Sequence, residues 1–290
     1  MIRLRIVGHP FSVEGRTAED FIRRTEGFRP FARPETESDS PLFSFRLLEN
    51  TVWATPVTHL HTFETEGITC FFFRTAHGYG FSMDRRDGQG PFTWEYLPAL
   101  RTVTAAGPTD EARMRFSLWM AFGTVALEHS TIALHCSTIR LGRQAVLFLG
   151  ESGTGKSTHT QLWQENIPGA ELLNDDSPFL RIENGQAFVY GSPWSGKTPC
   201  YRDESAVVAA VVRLSQAPEN RIRRLGTAEA LGALLPSCPP SFAYDEALAD
   251  REMAILSPLI QNVPVYHLEC RPDAQAALMS HSTVFGKNEK

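Results

Sequence analysis

Apolar and polar positions change character along this chain. Up to about residue 105, short β-type runs recur, among them Thr51-Val52-Trp53-Ala54-Thr55 and Thr69-Cys70-Phe71-Phe72-Phe73, separated by turn-forming clusters such as Asp87-Gly88-Gln89-Gly90-Pro91. Met1-Ile2-Arg3-Leu4-Arg5 reads as a strand-like start, and residues 35–41 read as a polar loop. The pattern then turns helical. Pro108-Thr109-Asp110-Glu111 gives an N-terminal signal, and Met114, Leu118, Phe122, Val125 and Leu127 fall near helical spacing, as expected of a core-packing helix. Residues 131–137 predict a strand that turns at 141–144 into the apolar run 145–149. Beyond it, strands and helices alternate. A strand over 172–176 ends in carboxylates, and Asn184-Gly185 makes a hairpin turn into a strand over 187–191. Residues 206–214 form a near-continuous apolar strand suited to burial on both faces. Helices are expected over 227–235 and 248–262, a strand over 263–270, and a last helix from near Asp273.

The change near residue 107 predicts a small β-rich domain over 1–106 and a larger α/β domain over 107–290. With 290 residues, each has enough chain for its own core. A hydrophobic content of 42% and a charged content of 21% are ordinary for a soluble globular protein. The net charge of −5 argues against nucleic acid as the main partner, because that affinity draws on Lys and Arg. The run Arg221-Ile222-Arg223-Arg224 reads as a solvated face. Cys70, Cys136, Cys200, Cys238 and Cys270 are odd in number, widely spaced and free of any C-x-x-C pair. That predicts reduced thiols in a cytoplasmic protein rather than disulfides or a zinc site. The start lacks the apolar core of a signal peptide, and no run of about eighteen uncharged apolar residues predicts a membrane span. His59 and His61 alternate onto one strand face, a spacing that suits a metal, but with no third ligand nearby the pair reads as a polar strand face.

One segment carries chemistry on its own. Gly150-Glu151-Ser152-Gly153-Thr154-Gly155-Lys156-Ser157-Thr158 satisfies G-x-x-x-x-G-K-[ST] between the strand 145–149 and the start of a helix. A strand, a glycine-rich loop and a helix in that order make a phosphate cradle. The glycines let backbone N–H groups point inward, and the helix N-terminus adds partial positive charge. Lys156 is placed to reach the β/γ-phosphates and Ser157 to offer its hydroxyl to Mg²⁺. Some twenty residues on, Asn174-Asp175-Asp176-Ser177 closes a strand with two carboxylates. Phosphoryl transfer uses such groups to hold a cation and to deprotonate or orient the acceptor.

His135, the glycine loop and Leu173-Asn174-Asp175-Asp176, in that order, resemble the C-terminal catalytic domain of the HPr kinase/phosphorylase family over roughly residues 130–195. They are more distantly similar to the nucleotide domain of ATP-dependent phosphoenolpyruvate carboxykinases. The resemblance implies an α/β fold, a P-loop-containing mixed-sheet domain of that kind following a smaller β-rich N-terminal domain. It also implies that the loop residues hold ATP and Mg²⁺. Asp175 and Asp176 would then supply the metal contact and the general base, with His135 in reach of the base. Two departures stand out. Thr158 occupies the place of a Glu that carries a second metal contact in the family, and the later Arg-Gly-Leu-Gly signature is absent. In its place stands Tyr190-Gly191-Ser192-Pro193-Trp194-Ser195-Gly196-Lys197-Thr198-Pro199, where Lys197 is a candidate contact for the γ-phosphate or the acceptor and Trp194 a candidate apolar wall.

The expectation is an ATP-dependent kinase that transfers the γ-phosphoryl group to a hydroxyl-bearing acceptor, a serine in a protein, in a peptide or as the free amino acid. Nucleic acid and membrane are not expected as partners, and a homo-oligomer is left open. Two rivals stand beside it. One is a nucleotide-dependent binding or scaffold protein without phosphotransfer. The other is a phosphoenolpyruvate carboxykinase-type enzyme, whose chemistry needs a further metal site, substrate arginines and usually a much longer chain.

Overall fold

Short apolar runs bounded by turn residues make strands the commonest regular structure in both units. The computed structural model describes residues 1–34, 36, 39–49, 54–65 and 67–286. It falls into two units, Met1–His129 with Pro240–Ala249, and Ser130–Pro239 with the chain from Asp250 onward.

The first unit carries β1 (Ile2–Ile6), β2 (His9–Glu14), α1 (Arg16–Arg24), β3 (Ala32–Arg33), β4 (Ser44–Leu47), β5 (Thr58–Thr65), β6 (Ile68–Arg74), β7 (Tyr79–Asp84), β8 (Phe92–Leu97), β9 (Thr102–Ala106) and α2 (Glu111–Ala126). Its strands form one mixed sheet in the order β3-β1-β2-β4-β9-β8-β7-β6-β5, with β4 parallel to both neighbours. Phe11, Phe45, Phe72, Phe81 and Trp94 are wholly buried in its core. The helix α2 starts where Asp110 accepts a hydrogen bond from the Arg113 backbone N–H at 2.9 Å, and it buries Met114, Leu118, Phe122 and Val125. It packs within this first unit, although the sequence reading grouped it with the second.

Several expectations need correction or lie outside the described residues. Thr51, Val52 and Trp53 of the expected strand 51–55 lie outside them, and Ala54 and Thr55 are in no strand. Glu35, Glu37 and Ser38 of the expected loop also lie outside. The two histidines do not share a strand face. His59 pairs with Phe73 and His61 with Phe72, so Leu60 is an extra residue in a β-bulge that breaks the alternation. His61 instead stacks on Tyr244 at 4.4 Å and meets Ser241 Oγ at 3.2 Å.

The second unit runs β10 (Thr131–Ala133), β11 (Cys136–Leu141), β12 (Gln144–Leu149), α3 (Lys156–Asn166), β13 (Ala170–Asp176), β14 (Phe179–Glu183), β15 (Gln186–Tyr190), β16 (Ser205–Gln216), β17 (Arg221–Arg224), α4 (Thr227–Leu234), α5 (Glu246–Asn262, its first turn counted with the first unit), β18 (Val265–Cys270) and α6 (Ala274–Phe285). β12, β16 and β18 run parallel, and β11 and β13 continue the sheet antiparallel on the far side of β12. The twelve-residue β16 pairs with β12, while its start pairs with β15 and its end with β18. The β14–β15 hairpin turns through Asn184 and Gly185 at φ 50° and 79°, the paired positive values a tight two-residue turn requires. On one face of the sheet, α3 and α6 cover a core that includes Ile139, Val146, Phe148, Trp163, Val212 and Leu268. The single strand expected over 131–137 is two, β10 and β11. At the break, Leu134 N–H donates to Pro178 O and His135 N–H to Ser237 O, so neither backbone group is free for a ladder.

The five cysteines are unpaired, four of them buried. Among the described residues no helix is long and apolar enough to cross a membrane.

Candidate active site

The glycine-rich loop 150–155 leaves the C-terminal end of β12 and enters α3 at Lys156. Gly150 sits where a Cβ would lie 2.5 Å from Thr154 Oγ1 and close to the Leu214 carbonyl, so the loop folds back on itself only without a side chain there. Thr154 closes the turn, its hydroxyl donating to Glu151 O at 2.8 Å, and Gln216 Nε2 holds the tip by donating to Gly153 O at 3.2 Å. Gly155 has φ 98°, a conformation that L side chains rarely adopt, and a Cβ there would meet nothing within 4 Å. Glu151, Ser152, Ser157 and Thr158 are exposed along it.

The two carboxylates part company at the end of β13. Against β11 the register shifts between Thr138 and Ile139, leaving Leu173 as an extra residue in a bulge, a common device for re-aiming side chains beside functional sites. Asp175 is buried, and its carboxylate accepts from Ser137 Oγ at 2.8 Å and from Ser157 Oγ at 3.0 Å, with the Thr198 N–H at 3.4 Å. Ser157 and Asp175 therefore put hard oxygen donors side by side at the start of α3. Asp176 has φ 141°, a conformation that non-glycine residues rarely hold, and bridges to Ser195. Its half-exposed carboxylate lies 3.2 Å from His135 Nδ1.

His135 also touches Lys156, with 3.0 Å between its Nε2 and the lysine Nζ. An ammonium only donates, so Nε2 accepts and the ring proton sits on Nδ1, facing Asp176. Lys156 spends its other donors on Gly150 O at 2.8 Å and Glu151 O at 3.2 Å. Burial lowers its pKa from the ordinary lysine value, against the pull of the nearby Asp176 and Asp175. The neighbouring Cys136 is wholly buried, which pushes its thiol up to about 12 and leaves it without a nucleophile's thiolate. Among the described residues no three His, Cys, Asp or Glu side chains cluster as a metal cage.

The Ser192–Thr198 loop comes down on the same strand end. Gly196 N–H donates to Asp175 O at 2.5 Å, and a Cβ on Gly196 would lie 2.7 Å from that oxygen. Asn174 fixes the loop from below. Its amide reaches Trp194 O at 3.1 Å and Ser192 Oγ at 3.3 Å, and its oxygen accepts from Ser177 N–H at 2.9 Å. Trp194 does not wall an open site; it is buried, with its ring 5.8 Å from Phe179. Lys197 is exposed on the loop two residues past the Ser195 bridge to Asp176. Sequence reasoning missed Ser137, which sits opposite Asp175 in the β11–β13 register. Nothing in the local pattern Cys136-Ser137-Thr138-Ile139-Arg140-Leu141 marks it out, because Thr138 and Arg140 are polar as well.

No family model matches this chain, and no curated protein matches it. Among solved structures it is similar to the Hpr(Ser) kinase/phosphatase from Coxiella burnetii, with 14% identity, 52% of this chain and 93% of that chain covered, and a TM-score of 0.31.

Proposed function

We propose that this chain is an ATP-dependent kinase of the HPr-kinase-like group, transferring the γ-phosphoryl group to a hydroxyl, a serine in a protein, a peptide or the free amino acid. The observation that carries the reading is the convergence of Ser157 on Asp175 and of Lys156, through His135, on Asp176 at the mouth of one glycine loop. A phosphate chain in the loop competes with the Gly150 and Glu151 carbonyls for the Lys156 ammonium, and the β/γ-phosphate charge favours that exchange. Ser157 and Asp175 are the residues that would hold Mg²⁺, an ion commonly bound through few protein oxygens. Bound there, the ion supplies neutralisation of the phosphate charge.

Asp176 is the base. It takes the proton of the acceptor hydroxyl as that oxygen bonds to the γ-phosphorus and the bond to the β–γ bridging oxygen breaks, releasing ADP. His135 donates from Nδ1 to the Asp176 carboxylate and holds it in place. The test is incubation of the purified chain with γ-labelled ATP and Mg²⁺ against serine, serine peptides and a protein extract. Labelled acceptor formed by the native chain and lost in Asp176→Asn is the expected result. ATP binding with no transfer to any acceptor would leave a nucleotide-dependent binding protein.

A further inference from the structure

The phosphate chain of a bound nucleotide has a direction, and the sheet fixes it. Asp175, Asp176 and His135 lie on the β11/β13 flank of the loop strand, so the transferred phosphate faces that way. The nucleoside end must leave over the opposite flank, across the C-terminal ends of the parallel strands β16 and β18. Crevices outside the carboxyl ends of parallel strands are where open α/β sheets take their ligands. Two clefts open there, on either side of Gln216, which lines both. One, of about 590 Å³, is lined by Gly155, Thr158, Leu162, Ala217, Cys270 and Pro272 among others. The other, of about 650 Å³, is lined by Ser152, Arg213, Ser215, Arg223, Leu225 and His267 among others.

We propose that the first of these clefts receives the base and ribose of the nucleoside triphosphate, an inference that rests on the kinase reading above. It is continuous with the part of the loop where a phosphate meets the helix, since Gly155 and Thr158 flank Lys156 and Ser157; the other cleft shares only Glu151 to Thr154. Its lining also matches a planar, uncharged heterocycle. Leu162, Leu214, Ala217, Cys270 and Pro272 are apolar, and nucleotide pockets are mostly apolar with few polar groups placed to orient. Arg271 adds a guanidinium that Asp273 holds at 2.9 Å and 3.0 Å, a fixed cationic plane suited to stacking on a base. The cleft floor is pinned, with Ala217 N–H donating to Cys270 O at 3.1 Å and Arg271 N–H to Asn220 Oδ1 at 2.8 Å. The second cleft instead presents Arg213, Arg223 and His267, with Arg223 already paired to Glu229 at 2.8 Å.

Calorimetric titrations with Mg·ATP and with Mg·tripolyphosphate separate this inference from the reading beneath it. In Ala217→Trp, which fills the cleft, and in Arg271→Ala, an exposed position that the fold tolerates, Kd for Mg·ATP is expected to rise about tenfold or more. Kd for Mg·tripolyphosphate should stay at the native value, and Leu225→Trp in the other cleft should change neither. Native ATP affinity in both first-cleft variants, or a loss of ATP affinity in Leu225→Trp alone, would overturn the assignment while leaving the phosphate loop in place. If the native chain binds neither ATP nor tripolyphosphate, the kinase reading itself falls, and the nucleoside cleft with it.

Discussion

Asp176 keeps a strained φ of 141° while its neighbour Asp175 sits buried under two serine hydroxyls, so two adjacent identical side chains sit in different surroundings. Strain of this kind costs of order 1–3 kcal/mol and persists where the surroundings over-determine it. Here the Ser195 bridge and the Gly196 contact with Asp175 O do so. Asn is isosteric with Asp but neither charged nor basic. Asp176→Asn should therefore lower kcat by about 10²- to 10⁴-fold with the Kd for ATP unchanged. Asp175→Asn should instead raise the Mg²⁺ concentration needed for half-maximal rate, a shift read from metal titrations of the initial rate. On the kinase reading, Lys156→Ala removes the charge that meets the phosphates and should abolish turnover while the circular dichroism melt stays near native. Turnover at the native rate in Lys156→Ala would remove the phosphate-loop assignment. The two carboxylates and the lysine were legible in the sequence because a motif names residue types. Their different surroundings were not, because these depend on a bulge at Leu173 and on Ser137 across the ladder.

At the scale of elements, α3 both carries the end of the glycine loop and seals the core beneath it. Its first turn carries Lys156 and Ser157, and the next buries His159 between Phe148, at a ring distance of 4.7 Å, and Trp163, which donates to His159 Nε2 at 3.2 Å. Burial holds the His159 pKa down at about 4, against 6.5 for the free group. Between those values the unfolded chain binds a proton that the folded chain refuses. The stabilising contribution is therefore present above pH 6.5 and is lost as pH falls toward 4, to a total on the order of 3 kcal/mol, since about 2.5 pH units separate the two values at about 1.36 kcal/mol each. Denaturant unfolding of the native chain and of His159→Gln at pH 7, 5.5 and 4.5 should show the native chain losing more stability on acidification. Parallel losses in the two would show that His159 does not carry the effect. The helix itself was readable from the sequence. The break between β10 and β11 was not, since no Gly or Pro marks it and the N–H groups of Leu134 and His135 turn instead to the distant Pro178 and Ser237 carbonyls.

At the scale of the whole molecule, the chain returns to its first unit after closing most of the second. Asp245, buried, binds Arg74 through both Nε and Nη2, accepts from Tyr79 OH at 2.9 Å, and caps α5 by accepting from Leu248 N–H at 3.2 Å. Burial alone raises a carboxyl pKa, but here Arg74, Tyr79 and the Leu248 N–H outweigh it and hold Asp245 below the ordinary value. The stabilising contribution is present above the unfolded carboxyl pKa and is lost as pH falls through the lowered folded one. Asp245→Ala should cost about 2–3 kcal/mol, measured by denaturant titration at pH 7; an unchanged midpoint would reduce the contact to a surface pair. The sequence by itself determined the glycine-rich turn from a strand into a helix, the adjacent carboxylates at a strand end, the Asn184-Gly185 hairpin and most helices of the second half, because each is written in residues a few positions apart. Only the tertiary structure decided that 240–249 packs with residues 1–129, that Trp194 is core, and that His135 meets both Lys156 and Asp176. Those outcomes depend on contacts between positions 20 to 170 residues apart, which local patterning does not encode.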